Sequence, residues 1–382
     1  MVGKVFFLGY MMGAIEMLRQ FYIKTCENNL SRGGRMKNSF MQHSLAEKKE
    51  TLGLKSGDKI LVFAPSRSMN IISEDCQSLA KKRLTEMGLN VEYGKNVFDS
   101  LPYYDCGSIE NRLFDLHSIF KNESINGALT VIGGFNVNQL LPYIDYDLIK
   151  SNPKVLCGFS DITALFNAIY AKTGVMTFYG PHFSSFGMKK GCDYTIEYFK
   201  KMIFEDDVVE IKPSSTYSDD LWFVDQDNRE FIKNDGMLSI NEGCAYGKLV
   251  GGNLCTLNLL QGTEYMPSLK DKILFIEDDD IVGNGFFREF DRNLVSLIQT
   301  PDFSGVKGII VGIAQKKCEM NRDKWKAVLN KKELKDIPII VDVNFGHTTP
   351  ICTIPIGGYC KLISDGNNSK IYMSKHDFNK NI

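Results

Sequence analysis

Three groups of residues in this chain have the type and setting to do chemistry. Ser160 stands in Gly158-Phe159-Ser160-Asp161-Ile162-Thr163, between a run of buried-strand character and an apolar helical stretch. A serine on such a turn projects its hydroxyl into the crevice above a sheet, where the first backbone N–H groups of the helix can hold a developing oxyanion. The second glycine of a G-x-S-x-G elbow is absent, and the plainer reading is a helix N-cap with Thr163 in the first turn. His347 lies in Asn344-Phe345-Gly346-His347-Thr348-Thr349-Pro350, past an apolar strand, in a loop with little packing use for an imidazole. Of the 5 histidines, His182 in Tyr179-Gly180-Pro181-His182 is a candidate neighbour of such a site; His43, His117 and His376 lie in polar ends or on a helix. Glu277 heads the run Glu277-Asp278-Asp279-Asp280, directly after the apolar 272–276. A carboxylate there can hold a histidine in the tautomer that accepts a serine proton. The same acids also read as a charged turn or as a divalent-metal site, although no second group of carboxylates or histidines accompanies them. The chemistry these residues share is acyl transfer through an activated serine.

The elements that must position them recur as strand, loop and helix. Lys59-Ile60-Leu61-Val62-Phe63-Ala64 is a continuous apolar run halted by Pro65-Ser66, as expected of an internal parallel strand. Residues 73–87 read as a helix opened by Ser73 and closed before Gly88, and 90–93 as a short strand. A second helix is expected over 108–121, with Ile109, Leu113, Leu116 and Phe120 on one face. Residues 127–132 run into Gly133-Gly134, 138–149 read as helix and turn, 154–158 as a strand, and 162–172 as a helix. This alternation predicts an α/β fold whose N-terminal domain is a parallel sheet with flanking helices. Ligands of such sheets sit outside the carboxyl ends of the strands, where Gly133-Gly134 and Ser160 both fall. From about residue 215 the texture changes to short strand-like pieces (DLWFV, REFI, AYGKLVGG, KILFIED, GIIVGIA, PIIVDV) with one or two helices. The expected organisation is an extension or linker over 1–53, an α/β domain over 54–185 carrying the serine, and a linker region over 186–214. A C-terminal mostly β domain over 215–382 then carries Glu277 and His347, with the active site between the two domains.

Length and composition fit that plan. A chain of 382 residues, 43% hydrophobic and 24% charged with a formal net charge of -1, can bury a large core and shows no basic surface for nucleic acid. The 10 cysteines are scattered without a CxxC pair or a Cys/His grouping, which argues against zinc and is most simply read as free thiols in a reducing, cytoplasmic setting. Near the N-terminus, Lys4 and the apolar 5–15 superficially resemble an export signal. Glu16 and Arg19 end that run early, no small-x-small site follows, and it is too short to span a bilayer, so it reads as an uncleaved extension rather than a targeting or membrane-contact segment. Val250-Gly251-Gly252-Asn253-Leu254 lacks both G-x-G-x-x-G and a terminal G-K-[ST]; it reads as a close backbone approach beside the crevice rather than a phosphate loop.

A longer pattern joins these pieces. Gly57-Asp58-Lys59-Ile60 with Ala64-Pro65-Ser66, Gly133-Gly134 with Asn138-Gln139-Leu140-Leu141-Pro142-Tyr143, Gly158-Phe159-Ser160-Asp161-Ile162-Thr163, Phe178-Tyr179-Gly180-Pro181, Leu249-Val250-Gly251-Gly252-Asn253, Leu274-Phe275-Ile276-Glu277 and Phe345-Gly346-His347 appear in order. In this the chain resembles the LD-carboxypeptidase family of serine peptidases, and more narrowly its microcin C self-immunity branch. The resemblance implies Ser160 as nucleophile, His347 as general base and acid, Glu277 as its orienting carboxylate, and an oxyanion hole from the backbone N–H groups of Gly134 (or Gly133) and Asp161. It implies no metal or organic cofactor, and a homodimer. Two substrates are implied by the two branches: a murein tetrapeptide losing its terminal D-amino acid, or an aminoacyl-nucleotide conjugate cleaved at its amide. Asn136 and Asn138 after the double glycine, and the stretch with Asp220-Leu221-Trp222, Arg229 and Asn234-Asp235-Gly236, resemble the immunity branch, where an aromatic ring stacks on the nucleoside base. Gly133, Asn136, Trp222 and Asn253 are therefore the expected substrate-binding residues. Phe159 where tyrosine is common, and the run Asp278 to Asp280, depart from the family pattern; the acidic run would repel an acidic substrate. A non-catalytic binding protein using the same crevice is the alternative of a different class.

Overall fold

The computed structural model describes residues 52–379; the expectations for residues 1–51 lie outside the described residues. The first part of the chain alternates as its apolar runs predict: β1 (Lys59–Phe63), α1 (Glu74–Glu86), β2 (Asn90–Tyr93), α2 (Ile109–Lys121), β3 (Gly127–Thr130), α3 (Tyr146–Ser151), β4 (Val155–Gly158), α4 (Ile162–Thr173) and β5 (Thr177–Tyr179). The helix ends follow local chemistry. Ser73 and Ser108 each accept a backbone N–H of the first turn, and Gly174, at φ +73°, ends α4 in the left-handed conformation that glycine enters without a Cβ clash. β1 to β5 pair in parallel, and every residue of β3, β4 and β5 is buried, which explains why these segments are apolar without alternation.

The chain continues through α5 (Asp193–Ile203), β6 (Val209–Ile211) and the small hairpin of β7 (Thr216–Tyr217) and β8 (Ile232–Lys233). Next come β9 (Leu238–Asn241), β10 (Gly243–Asn253), α6 (Leu254–Asn258), β11 (Lys272–Glu277), α7 (Phe286–Ile298), β12 (Gly308–Gly312), α8 (Arg322–Leu329) and β13 (Ile339–Val343). β14 (Ile354–Ile356), β15 (Tyr359–Ser364) and β16 (Lys370–Ser374) complete the described chain. A mixed sheet in the order β6-β16-β15-β10-β11-β12-β13-β9 holds the second half. Its centre, β10 to β13, is parallel and its flanks are antiparallel. The architecture is thus an N-terminal, largely parallel α/β sheet and a C-terminal, mostly β unit, although the latter carries three α-helices rather than one or two. One strand crosses over: β14 pairs antiparallel with β5 at the edge of the first sheet.

The two sheets are locked together at helix α4. Asn167 Nδ2 donates to Gly251 O at 2.7 Å, and the Asn253 N–H donates to Thr163 Oγ1 at 2.9 Å. Gly251 and Gly252 run at φ +137° and +134°, and a Cβ on Gly252 would stand 2.9 Å from Thr163 Cγ2, so the approach of β10 to the helix requires the glycines. Residues 220–224, whose apolar letters suggest a strand, instead curl into a turn in which the N–H groups of Val224 and Asp225 both reach Leu221 O. Leu221, Phe223 and Val224 are exposed there and only Trp222 packs against the core, so the segment lacks the alternating buried face of a strand.

Candidate active site

Ser160 follows β4 and precedes α4, with φ at +65°. A non-glycine residue there carries strain of about 1–2 kcal/mol, so the turn is held by its surroundings. Gly158 is part of the reason, because a Cβ at that position would run into Thr130 Oγ1. The serine does not cap the helix. Asp161 occupies the cap position, and Ser160 Oγ lies 3.1 Å from His347 Nε2. His347 Nδ1 in turn lies 2.7 Å from Glu277 Oε2. The carboxylate can only accept, so Nδ1 carries the proton and, in the neutral ring, Nε2 is left to accept from the serine hydroxyl. Glu277, at the end of β11, is 2% exposed, and its other oxygen accepts the Tyr179 hydroxyl at 2.7 Å. Gly346 precedes the histidine at φ +99°, where a Cβ would approach Glu277 Oε2 to 2.6 Å, so only glycine lets the loop pass this close to the carboxylate.

Electrostatics tune the line. Burial opposes a charge on the His347 imidazole, but Glu277, with Asp279 and Asp278 behind it, outweighs this and raises the pKa to about 9. Asp278 is pushed up to about 7 by burial and then by the neighbouring Glu277 and Asp279 charges. Its Oδ1 accepts Asn253 Nδ2 at 3.1 Å. His182 is buried, stacked at 4.3 Å on the Phe159 ring, with Nδ1 2.6 Å from Thr130 Oγ1. Burial, followed by the charges of His347 and Arg67, holds it well below the usual imidazole range, so it is a neutral neighbour of His347.

Ser160, His347, Phe159 and His182 line a cleft of about 340 Å³ that also includes Gly133, Gly134 and Trp222. Gly133 packs on the serine: a Cβ there would stand 2.7 Å from Ser160 Cβ. Among the described residues the Asp161 N–H donates to no backbone carbonyl. The Asp161 carboxyl is drawn up by burial and held back by the Ser66 hydroxyl and the Val137 and Gly134 N–H groups, which braces the loop after β3 against the serine turn. Two of the expected substrate residues do not line the cleft. Asn253 is 1% exposed and caps α6 while holding Asp278; Asn136 donates its side-chain amide to Cys106 Sγ, and its backbone carbonyl accepts from Arg112. Tyr179 and Arg67 went unnoticed in the sequence. A tyrosine closing an apolar strand reads as core, and a lone arginine after Pro-Ser reads as surface. Among the described residues, no group of His, Cys, Asp and Glu is arranged to hold a metal ion, and no helix is long and apolar enough to cross a membrane.

A strained serine between strand and helix, a histidine on its hydroxyl and a buried carboxylate behind the histidine form a serine-hydrolase arrangement on an α/β scaffold. The chain belongs to the LD-carboxypeptidase family: residues 60–180 match the LD-carboxypeptidase N-terminal domain and residues 246–362 the LD-carboxypeptidase C-terminal domain. It is 51% identical over 324 residues to the putative carboxypeptidase YocD of Bacillus subtilis, covering 85% of this chain and 98% of that protein. The crystal structure of an MccF-like protein from Bacillus anthracis superposes with a TM-score of 0.84 at 49% identity, over 85% of this chain and 99% of the other. The microcin C7 self-immunity protein MccF of Escherichia coli is 31% identical over 340 residues, 84% of this chain and 94% of that one. The structure of MccF in complex with glutamyl sulfamoyl guanosine superposes with a TM-score of 0.74 at 29% identity, over 85% of this chain and 98% of that chain.

Proposed function

We infer that this protein is an amide hydrolase using Ser160 as nucleophile, His347 as base and acid, and Glu277 to orient the histidine, and that it cleaves aminoacyl-nucleotide conjugates. The observation that carries the reading is the hydrogen-bonded line Ser160–His347–Glu277, assembled from residues 187 and 70 positions apart. Neutral His347 takes the Ser160 proton as Oγ attacks the amide carbonyl, and the resulting oxyanion faces the N–H groups of Asp161 and Gly133, the Gly134 N–H being engaged by the Asp161 carboxyl. The imidazolium then protonates the leaving nitrogen, the C–N bond breaks, and water, deprotonated by His347, releases the acyl group from the serine. Because the substrate-free His347 titrates near 9, the base form is the minor one at neutral pH.

Two things support the nucleotide conjugate as substrate: the MccF structure that resembles this chain holds glutamyl sulfamoyl guanosine, and Trp222 shares the cleft with Ser160. The test assays wild type and Ser160→Ala on glutamyl sulfamoyl adenosine and on an L,D-tetrapeptide ending in D-alanine, following released nucleoside and D-alanine. Ser160-dependent release of nucleoside alone is expected. Release of D-alanine alone would make it a murein-peptide carboxypeptidase, and release of neither would favour a binding protein built on the same cleft.

A further inference from the structure

Arg67 lines the same cleft as Ser160 and touches Gly133, and the mechanism above leaves it without a task. Its Nε donates to Gly133 O at 3.0 Å, and a Cβ on Gly134 would stand 2.9 Å from its Cγ, so the stem packs flat on the double glycine and the guanidinium plane is fixed. The side chain is partly buried and lines the cleft that holds Ser160. Among the described residues no carboxylate comes within the 4.0 Å of an ion pair; the buried Asp161 carboxyl feels its charge from farther away. This is unexpected in a cleft lined by four aspartates. Those acids, however, have cations or donors of their own. Lys316 Nζ sits 3.6 Å from Asp219 and 3.8 Å from Asp220, Lys317 sits 3.8 Å from Asp280, and Asp279 accepts the Ile281 N–H and faces His347. The acidic wall is answered locally, whereas among the described residues lining the cleft Arg67 is the one arginine or lysine, and it is held against Gly133.

A half-buried guanidinium with a fixed plane and free terminal N–H groups is built to take a planar or tetrahedral oxyanion through paired hydrogen bonds. We propose that Arg67 binds an anionic group carried next to the scissile nitrogen of the substrate, and so selects amides whose leaving group is acidic. This rests on the reading of Ser160 as the nucleophile, and it fits either source of the anion. A C-terminal carboxylate lies one carbon from the scissile nitrogen of a peptide. In a nucleotide conjugate a phosphoryl or ionised sulfamoyl group is bonded to that nitrogen directly.

The test measures calorimetric binding to the full chain carrying Ser160→Ala, with and without Arg67→Gln or Arg67→Lys. The ligands are the D-alanine-terminated tetrapeptide and its D-alaninamide analogue, and glutamyl sulfamoyl adenosine and the glutamyl amide of 5′-amino-5′-deoxyadenosine. Arg67→Gln should weaken the anionic member of one pair on the order of 10- to 100-fold and its neutral partner less than about 3-fold, with Arg67→Lys between. The pair that responds identifies the source of the anion. Equal weakening of charged and neutral ligands would reduce Arg67 to a brace for Gly133 and overturn the proposal; so would no weakening, or no binding of either pair. Turnover by the Ser160-bearing protein is scored separately. Arginine-dependent binding without turnover sinks the proposed function and leaves Arg67 as an anion-binding residue with no role in selecting a leaving group; turnover indifferent to Arg67 keeps the function and overturns this inference.

Discussion

Tyr179→Phe removes one hydrogen bond from the heart of the site and almost nothing else. The ring is fully buried and packs edge-on against Phe275 at 5.4 Å and Phe159 at 6.1 Å, contacts that phenylalanine keeps. What disappears is the hydroxyl proton on Glu277 Oε1, leaving a buried carboxylate answered by His347 alone. A hydrogen bond to a charged group contributes about 1.5–3 kcal/mol, and the orphaned oxygen has no water to replace it, so folding stability should fall by about that much. Catalysis should fall for a separate reason. With the tyrosine gone the carboxylate pulls harder on the imidazolium, and the acid limb of kcat/KM, set by a His347 pKa near 9, should move upward. Each unit of that shift corresponds to about 1.4 kcal/mol, so a transfer of part of the lost bond moves the limb by about half to one unit. At pH 7 the loss in kcat/KM should therefore be about 3- to 10-fold, shrinking toward pH 10. The assay is a pH profile of kcat/KM on the substrate that wild type cleaves, paired with urea unfolding of both proteins. A stability loss with an unchanged limb would make Tyr179 a core hydrogen bond and nothing more. An unchanged unfolding curve would refute the geometry itself.

Glu277→Gln should move the acid limb the opposite way, from about 9 to below the ordinary imidazole value of 6.5, because burial then acts on His347 with less opposition; its plateau rate should drop on the order of 10²- to 10⁴-fold. A limb that stays near 9 would show that the aspartates, not Glu277, set the histidine. Ser160→Gly and Ser160→Ala should both abolish hydrolysis, and the glycine variant should be the more stable of the two by about 1 kcal/mol in chemical denaturation. Glycine is ordinarily the weaker choice, so the reversal reads out the strain at φ +65°; alanine proving more stable would contradict it.

The sequence made Ser160, Glu277 and His347 visible because each sits where a buried strand meets a loop, and such strands announce themselves by unbroken apolar runs. Helices α1, α2 and α4 lie within a residue or two of their sequence signals, since the serine caps of α1 and α2 and the glycine that ends α4 act locally. Residues whose part depends on distant partners were not legible. Tyr179 meets Glu277 across 98 positions, and nothing in Thr177-Phe178-Tyr179 distinguishes a hydroxyl that steers a carboxylate from one that packs. Asn253, expected in the cleft, is used by its own neighbours as a helix cap and a support for Asp278, a choice that only the register of β10 against β11 decides. The apolar letters of residues 220–224 mimic a strand because hydrophobicity is the same signal whether it faces a core or a cleft.

The crossover strand β14 has a consequence for synthesis. A chain leaving the ribosome delivers β1 to β5 and Ser160 early, yet the open edge of β5 waits for a partner that lies beyond His347 in the sequence. The same late segment therefore brings the histidine loop and closes the first sheet. Pairings this distant in sequence form slowly, and an unpaired edge is open to wrong partners in the interval. In return, a stalled or truncated chain would carry a serine without its base. On the function proposed above, hydrolysis would begin only once β14 has found β5.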